Sequence, residues 1–402
     1  MGQSSTAAIV VGLVLSLVCS HFSSGEPRGF RQSLLSDSNK TSSESNNREG
    51  KVFSLFNIVQ FKNEGCRSSS TISSGGTGST NRNGTCYTST ECATRGGSAA
   101  GSCAAGFGVC CVFLVSRSGA TVAQNCTYLR NPSFPNAYAE TSQVSYNIQK
   151  CDRSVCRLRL DFESFTILGT GNTLEFVDET NQGGTCLDMF TISTNTGNSF
   201  PIICGQNTGQ HIYVEMGCLE SDTATLNFNF NGATAVRMWE IKATQVKCNT
   251  EGQPQNCGCL QYHTGLTGRI TTFNFLPTND NHLANQEYSI CIRQEAGMCC
   301  VEYLPCADTS SYSLEGIPDD VNKQDSQCSK DYVGIEGGSA TCNASPGDVL
   351  FTRFCGTVFT TGIAATLNMP ICDCSKPFRL DIFTDDKSDN AIDDMENEEH
   401  SR

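Results

Sequence analysis

Apolar residues recur at every second position in short runs along most of this chain. Leu158, Leu160 and Phe162 alternate with Arg157, Arg159, Asp161 and Glu163. Leu226, Phe228 and Phe230 alternate with Asn227 and Asn229, and Trp239, Ile241 and Ala243 with Glu240 and Lys242. Tyr288, Ile290 and Ile292 keep the same period further on, as do Phe378, Leu380 and Ile382. Period two marks a strand with one buried face and one wet face. Glycine, serine, threonine and asparagine separate the runs, and helical periodicity is scarce. The pattern predicts an all-β protein. One β-sandwich or jelly roll is expected between Cys126 and Cys248, and a second region from Cys257 to about Asp386 repeats the style.

The two ends break the pattern. Thr6 to Cys19 is one apolar run, followed by small residues from Ser23 to Gly25 that suit cleavage. Although it lacks a positive n-region, this predicts a signal peptide over residues 1–25 and a secreted protein. The run is short of the roughly 20 apolar residues needed to span a bilayer, and no other stretch is longer. Residues 26–50 are polar and rich in serine and asparagine, so a disordered leader is expected, reaching residue 59. At the other end Asp385 to Glu399 is nearly all acidic or polar, and residues 389–402 are expected to be a solvated acidic tail. The net charge of −14 argues against nucleic acid and anionic membrane as partners, since both need concentrated Lys and Arg.

Cysteine changes the picture most. The chain has 25, and setting aside Cys19 in the apolar run leaves an even number between Cys66 and Cys374. That density fits an oxidising compartment and a disulfide framework. Zinc fits poorly, because Cys257/Cys259 and Cys372/Cys374 are spaced more tightly than ligand pairs usually are. Cys66, Cys86, Cys92, Cys103, Cys110 and Cys111 form a compact module with few apolar residues and a low-complexity loop from Ser68 to Asn83. It cannot hold itself by a core. Three bridges, each contributing about 2–4 kcal/mol, would have to supply its stability. Asn39, Asn83, Asn125 and Asn343 are glycosylation acceptors by pattern. A landmark also repeats in tandem: Cys186, Asp188 and Cys204-Gly205 in one half, Cys328, Asp331 and Cys355-Gly356 in the other.

With these residues in view, the chain resembles a known arrangement. The order of cysteines from Cys66 to Cys111 resembles the clip module of arthropod extracellular proteins, here residues 60–114. Asn131 to Tyr138 (NPSFPNAY), Leu158 to Phe165 (LRLDFESF) and the Cys186/Cys204 pair resemble the CUB domain, here residues 122–250. Cys328, Asp331-Tyr332-Val333, Cys355-Gly356 and Phe378 to Asp386 resemble a more divergent CUB-like domain over residues 255–388. The combination is similar to secreted arthropod proteins carrying one clear CUB domain and one divergent one. The resemblance implies two CUB-type sandwiches in tandem, with bridges at Cys186/Cys204 and Cys328/Cys355. The family's second cysteine precedes the first core strand, whereas Cys151 and Cys156 follow the stretch Tyr146 to Ile148. Cys126 and Cys151 are therefore counted among the bridged cysteines with the partner of Cys126 left open.

The resemblance also implies Ca²⁺, which takes hard oxygen ligands from acids on neighbouring loops. In the first half the family's Glu position falls at Leu168 and no Asp lies in Asn227 to Gly232, so only Asp188 remains. In the second half Glu315, Asp331 and Asp385 or Asp386 stand at the matching places. His211 and His282 read as hydrogen-bonding loop or core residues, Trp239 as core, and Arg157 with Arg159 as a solvated face. Chemistry of other kinds is hard to find. There is no Gly-Asp-Ser-Gly, Ala-Ala-His-Cys or His-Glu-x-x-His motif, and only five histidines to build a triad from. The expected function is non-enzymatic recognition of an extracellular protein or glycoprotein through loops at the sandwich ends. A cross-linked matrix or cuticle component and a non-catalytic regulator of an extracellular protease cascade are the alternatives.

Overall fold

The computed structural model describes residues 10–14, 60–68, 81–170, 184–232, 235–254, 258–276, 282–308, 311–314, 322–343, 349–362 and 365–386. Asn39, Glu315, the leader of residues 26–59 and the acidic tail lie outside these residues, as does the predicted signal peptide apart from Val10–Val14. The first elements are β1 (Val10–Val14), β2 (Gly65–Arg67), β3 (Asn83–Tyr87), α1 (Ser89–Thr94), β4 (Ser98–Cys103) and β5 (Gly108–Val115). Next come β6 (Ala120–Val122), β7 (Thr127–Arg130), β8 (Val144–Gln149), β9 (Val155–Thr166), β10 (Met189–Thr194), β11 (His211–Glu215), β12 (Thr223–Asn229) and β13 (Met238–Lys247). The remainder are β14 (Cys259–His263), β15 (Thr267–Thr271), β16 (Glu287–Ile292), β17 (Val301–Pro305), β18 (Lys323–Gln324), β19 (Tyr332–Gly338), β20 (Phe351–Cys355), β21 (Ile371–Asp373) and β22 (Arg379–Phe383). The protein is all-β, built of β-sandwiches, as the alternation predicts.

Bridges replace a core in the cysteine module. Cys66–Cys110, Cys86–Cys103 and Cys92–Cys111 consume all six cysteines. The single turn-and-a-half of α1 is held by a capping box, in which the Glu91 amide donates to the Thr88 hydroxyl and the Thr88 amide donates back to the Glu91 carboxylate. Gly97 follows because a Cβ there would lie 2.2 Å from the Cys111 sulfur. The module is not a separate body. One stretch of β5 pairs antiparallel with β3 and β4, and its last three residues pair parallel with β7. A single sheet, β11-β9-β13-β7-β5-β3-β2, therefore runs from the module across the first sandwich.

The facing sheet of that sandwich is β10-β12-β8-β6. Between the two, alternation places Leu158, Leu160 and Phe162 of β9 against Leu226 and Phe228 of β12, all buried. Trp239 stacks on Phe228 at 4.1 Å, and its indole N–H donates to the Tyr146 hydroxyl. The second sandwich packs β14-β16-β22-β19-β20-β18 against β15-β1-β17-β21; β1, which falls in the apolar run expected to be a cleaved signal peptide, is here paired antiparallel to both of its neighbours, contrary to that expectation. Bridges that cross it among the described residues include Cys259–Cys291, Cys300–Cys374, Cys328–Cys355 and Cys342–Cys372. Buried apolar residues of both sandwiches form one continuous cluster.

The polar seam between module and sandwich is built on one carboxylate. Glu240, on β13, accepts from the Arg82 guanidinium at 2.9 and 3.0 Å and from Arg130 Nε at 2.5 Å. All three side chains are buried. Losing one partner of such a cluster strands uncompensated charge, which costs about 3–5 kcal/mol. Glu240→Gln is accordingly expected to lower the unfolding free energy by about that amount. Urea denaturation followed by the emission of the single tryptophan, Trp239, measures it.

Candidate functional site

The repeated cysteine-aspartate landmark places one buried carboxylate at an end of each sandwich. In both, the second cysteine is followed by a left-handed glycine, Gly205 at φ 75° and Gly356 at φ 85°. The carboxylates meet different fates. Asp188 is fully buried and saturated. Arg237 Nε and Nη2 donate to Oδ2 and Oδ1 at 2.6 and 3.0 Å, and the amides of Leu168 and Asn231 add one bond to each oxygen. Its counter-charge is the Arg237 guanidinium, and each oxygen already accepts two donors. No ligand capacity is left for a cation.

Asp331 is as deeply buried, and its surroundings are less complete. The Asp385 amide donates to Oδ1 at 2.9 Å. Oδ2 lies 3.0 Å from His282 Nε2, yet no aligned hydrogen bond reaches it among the described residues. The imidazole is close to Oδ2 but poorly aligned with it. The loop opposite is tied down by Thr384, whose hydroxyl donates to the Leu283 carbonyl and accepts the Gln286 amide. Asn285 donates its amide to the Asp385 carbonyl from a left-handed φ of 54°. Of the predicted set, Asp331, Asp385 and the exposed Asp386 thus gather at one end of the second sandwich, while Glu315 is outside the described residues. His282 completes the group. Sequence reading placed it only as a loop or core residue, because nothing in a lone histidine announces a carboxylate fifty residues away.

Beside this end opens a groove of about 980 Å³. Phe200 and Ile202 from the first sandwich form one wall, and Tyr332, Phe383, Arg353 and Asp381 on the second sandwich's outer face form the floor. Tyr332 and Phe383 stack at 4.9 Å, with Arg353 over the tyrosine ring at 4.5 Å. Gly334 lies in this floor, where any Cβ would sit 3.0 Å from that of Asp381.

Several other predicted residues are placed differently. Arg157 and Arg159 are not a solvated face. Arg157 pairs with Glu215 at 2.5 Å and donates to the Pro254 carbonyl, while Arg159 bonds Asp161 and the Tyr213 hydroxyl. Cys126 and Cys151, expected in bridges, carry free thiols, as do Cys218 and Cys306. Gln245 lies between the first two: its amide donates to Asn125 Oδ1 next to Cys126, and its Oε1 accepts the Cys151 amide. Asn125 uses the same oxygen for the Cys126 amide, Asn83 lies within β3, and Asn343 is exposed. The sulfurs of Cys300, Cys342 and Cys372 approach within 4.8 Å of one another, but each is already in a disulfide.

Residues 256–399 match the family model of the animal CUB domain, a non-catalytic module. The match falls on the half that reads as the more divergent from sequence. No curated protein matches the chain. Among solved structures, the MASP-1 CUB2 domain bound to Ca²⁺ is 18% identical, covering 32% of this chain and 99% of its own, with a TM-score of 0.24. The CUB1-EGF-CUB2 domains of rat MASP-1 are 16% identical, covering 68% and 95%, with a TM-score of 0.22. Those of human MASP-1/3 are 17% identical, covering 66% and 96%, with a TM-score of 0.21. No helix among the described residues is long and apolar enough to cross a membrane.

One further carboxyl stands out electrostatically. Asp373 on β21 is 1% exposed, and burial pushes it up to about 7. Its Oδ1 accepts the Ser375 amide at 2.7 Å, while Oδ2 and the nearby Tyr303 hydroxyl have no partner among the described residues. The unfolded chain ionises this group near pH 4, so its contribution is complete below that pH and is lost as pH rises toward 7. Wild-type stability should fall by about 1.4 kcal/mol per pH unit across that window through this residue. Asp373→Asn keeps the Oδ1 acceptor and removes the charge. It should match wild type near pH 4 and exceed it by a few kcal/mol near pH 8. Thermal melts of both proteins across pH test this.

Proposed function

We propose that this chain is a secreted, non-enzymatic binding protein that recognises an extracellular protein or glycoprotein through the Asp331 end of its second sandwich. CUB domains typically take part in protein–protein interaction, and the family match covers this sandwich. The disulfides in both sandwiches suit an oxidising, extracellular setting. The observation that carries the reading is the state of Asp331. Its twin Asp188 is sealed by Arg237, whereas Asp331 keeps one buried oxygen without an aligned donor, at a loop end beside a groove.

That donor set fits calcium. Asp331, Asp385 and Asp386 are hard oxygen donors on adjacent segments, and Glu315 follows Leu314, which bridges to Gly356 in the same end. A bound Ca²⁺ would supply the positive charge that Arg237 supplies to Asp188. Asp331 anchors the site, the Asp385 amide fixes the carboxylate's rotation, and His282 competes for Oδ2. Ordering of these loops would present acidic side chains to a basic residue of the partner, and the groove would take up neighbouring apolar side chains.

Calorimetric titration with Ca²⁺ should reveal one site in the range of extracellular modules, with a Kd of about 10⁻⁴–10⁻³ M. Asp331→Asn should abolish it. Pull-down from extracellular fluid should then recover a partner in calcium and lose it in chelator. A partner retained in chelator would overturn the calcium mechanism and leave the binding role standing. No partner in either condition would overturn the binding role.

A further inference from the structure

Beside the continuous apolar cluster, the two sandwiches meet through polar side chains that sequence reading left unused. Asn274, at a left-handed φ of 61°, seats its side chain against Gly205, where a Cβ would lie 1.6 Å from Asn274 Oδ1. Its amide donates to Asn207 Oδ1 at 2.8 Å, and its Oδ1 accepts the Gln206 amide at 3.2 Å. Gln210 Nε2 donates to the Thr272 carbonyl, and Gln261 Nε2 to Gln210 Oε1. Two histidines close this seam from opposite sides. His211 opens the edge strand β11, His263 ends β14, and their ring centroids are 5.1 Å apart.

His211 is buried in the seam with its Nε2 against the Tyr262 backbone. The Tyr262 amide donates to Nε2 at 3.0 Å, a bond that requires a lone pair on that nitrogen. A proton on Nε2 removes that bond, and the Tyr262 carbonyl, also 3.0 Å from this nitrogen, then becomes its acceptor. Among the described residues, the charged groups facing the pair offer it no anion that is not already paired. Arg159 on β9 lies over Tyr213, its neighbour Asp161 is occupied by Arg159 itself, and Glu215 is paired with Arg157, which also donates to the Pro254 carbonyl. Beyond Tyr262, Arg293 is paired with Glu295. Burial and Arg159 hold His211 down to about 3 and His263 down to about 4.

We propose that this seam is an acid-opened latch: protonation of His211 and His263 separates the two sandwiches while each remains folded on its own bridges. The direction follows from linkage. Both rings bind protons more weakly when the seam is closed, so closure is fully supported above pH ~6.5 and weakens as pH falls toward the closed-state values. Each ring contributes up to tenfold per pH unit, so the closing constant should drop roughly a thousandfold between about pH 7 and about pH 5. This inference is independent of the calcium reading, since it uses neither Asp331 nor His282.

The test uses the full chain in chelator. Hydrogen exchange at the Tyr262 and Asn274 amides, corrected for intrinsic rates, is compared near pH 7 and near pH 5, with Trp239 emission as the monitor of the first sandwich. Protection of both amides should fall by a hundredfold or more while the emission holds. The H211Q/H263Q variant, in which Gln Oε1 can still accept from Tyr262, should keep its protection at both pH values. X-ray scattering of the unsubstituted chain gives a second reading, because its radius of gyration should grow over the same interval. Unchanged protection and radius in the wild type would overturn the latch. So would equal loss in the variant, or a Trp239 shift at the same pH, which would mean global unfolding.

Discussion

A carboxylate sealed from water has to find its counter-charge inside the protein, and that requirement organises this molecule. Glu240 finds two arginines, one from the cysteine module and one from β7 of the first sandwich. Removing either unit would leave the charge short, so the cluster defines the seam between them. Asp188 finds Arg237 and four donors in all. Asp331, at the corresponding place in the second sandwich, finds an amide and a misaligned imidazole. Asp373 finds no cation, and there burial favours the protonated acid instead. These four buried acids thus meet the same electrostatic demand in four ways, and the one whose neighbour is a poorly aligned imidazole, Asp331, lies at a loop end.

Disulfides set what surrounds those acids. In the cysteine module they take the place of apolar burial, as its small hydrophobic clusters around Cys92, Cys111 and Phe113 show. In the sandwiches they lie beside a true core and do something narrower. Cys186–Cys204 and Cys328–Cys355 pin the segments that carry Asp188 and Asp331, so both carboxylates are held at defined depth. The free thiols of Cys126 and Cys151 show the limit of cysteine counting: an even total does not require that every sulfur be paired. Burial raises the pKa of the Cys126 thiol, which favours its protonated form.

Much of the fold was legible because period-two alternation is a local signal. Leu158, Leu160, Phe162, Trp239 and Ile241 are buried where their phase put them. The tandem landmark likewise led to Asp188 and Asp331 through short cysteine spacings. What was illegible depends on residues far apart in the chain. Arg157 and Arg159 have the polar phase of β9 and look solvated, yet that face is covered by Glu215, Tyr213 and the 253–254 segment. The pairing of Arg237 with Asp188, of His282 with Asp331 and of Arg82 with Glu240 each needs the sheet topology first. Alternation tells which face is wet in a single sandwich, and it cannot tell which wet face a second domain will cover.

That covered face gives the groove its character. One wall is the 199–202 loop of the first sandwich and the floor is β16, β19 and β22 of the second. The Gln286 side chain ties the two together by donating to the Ile202 carbonyl at 3.1 Å, and the Ala284 amide donates to the Gly184 carbonyl at 2.9 Å. The groove is therefore not a property of either sandwich. It exists only while the seam of Asn274, Gln210 and the two histidines is closed. The Asp331 end adjoins the same seam, since Ala284 and Gln286 lie on the loop that follows His282. Recognition elements placed on a junction inherit the junction's stability, so a partner bound there would hold the sandwiches together as firmly as they hold it.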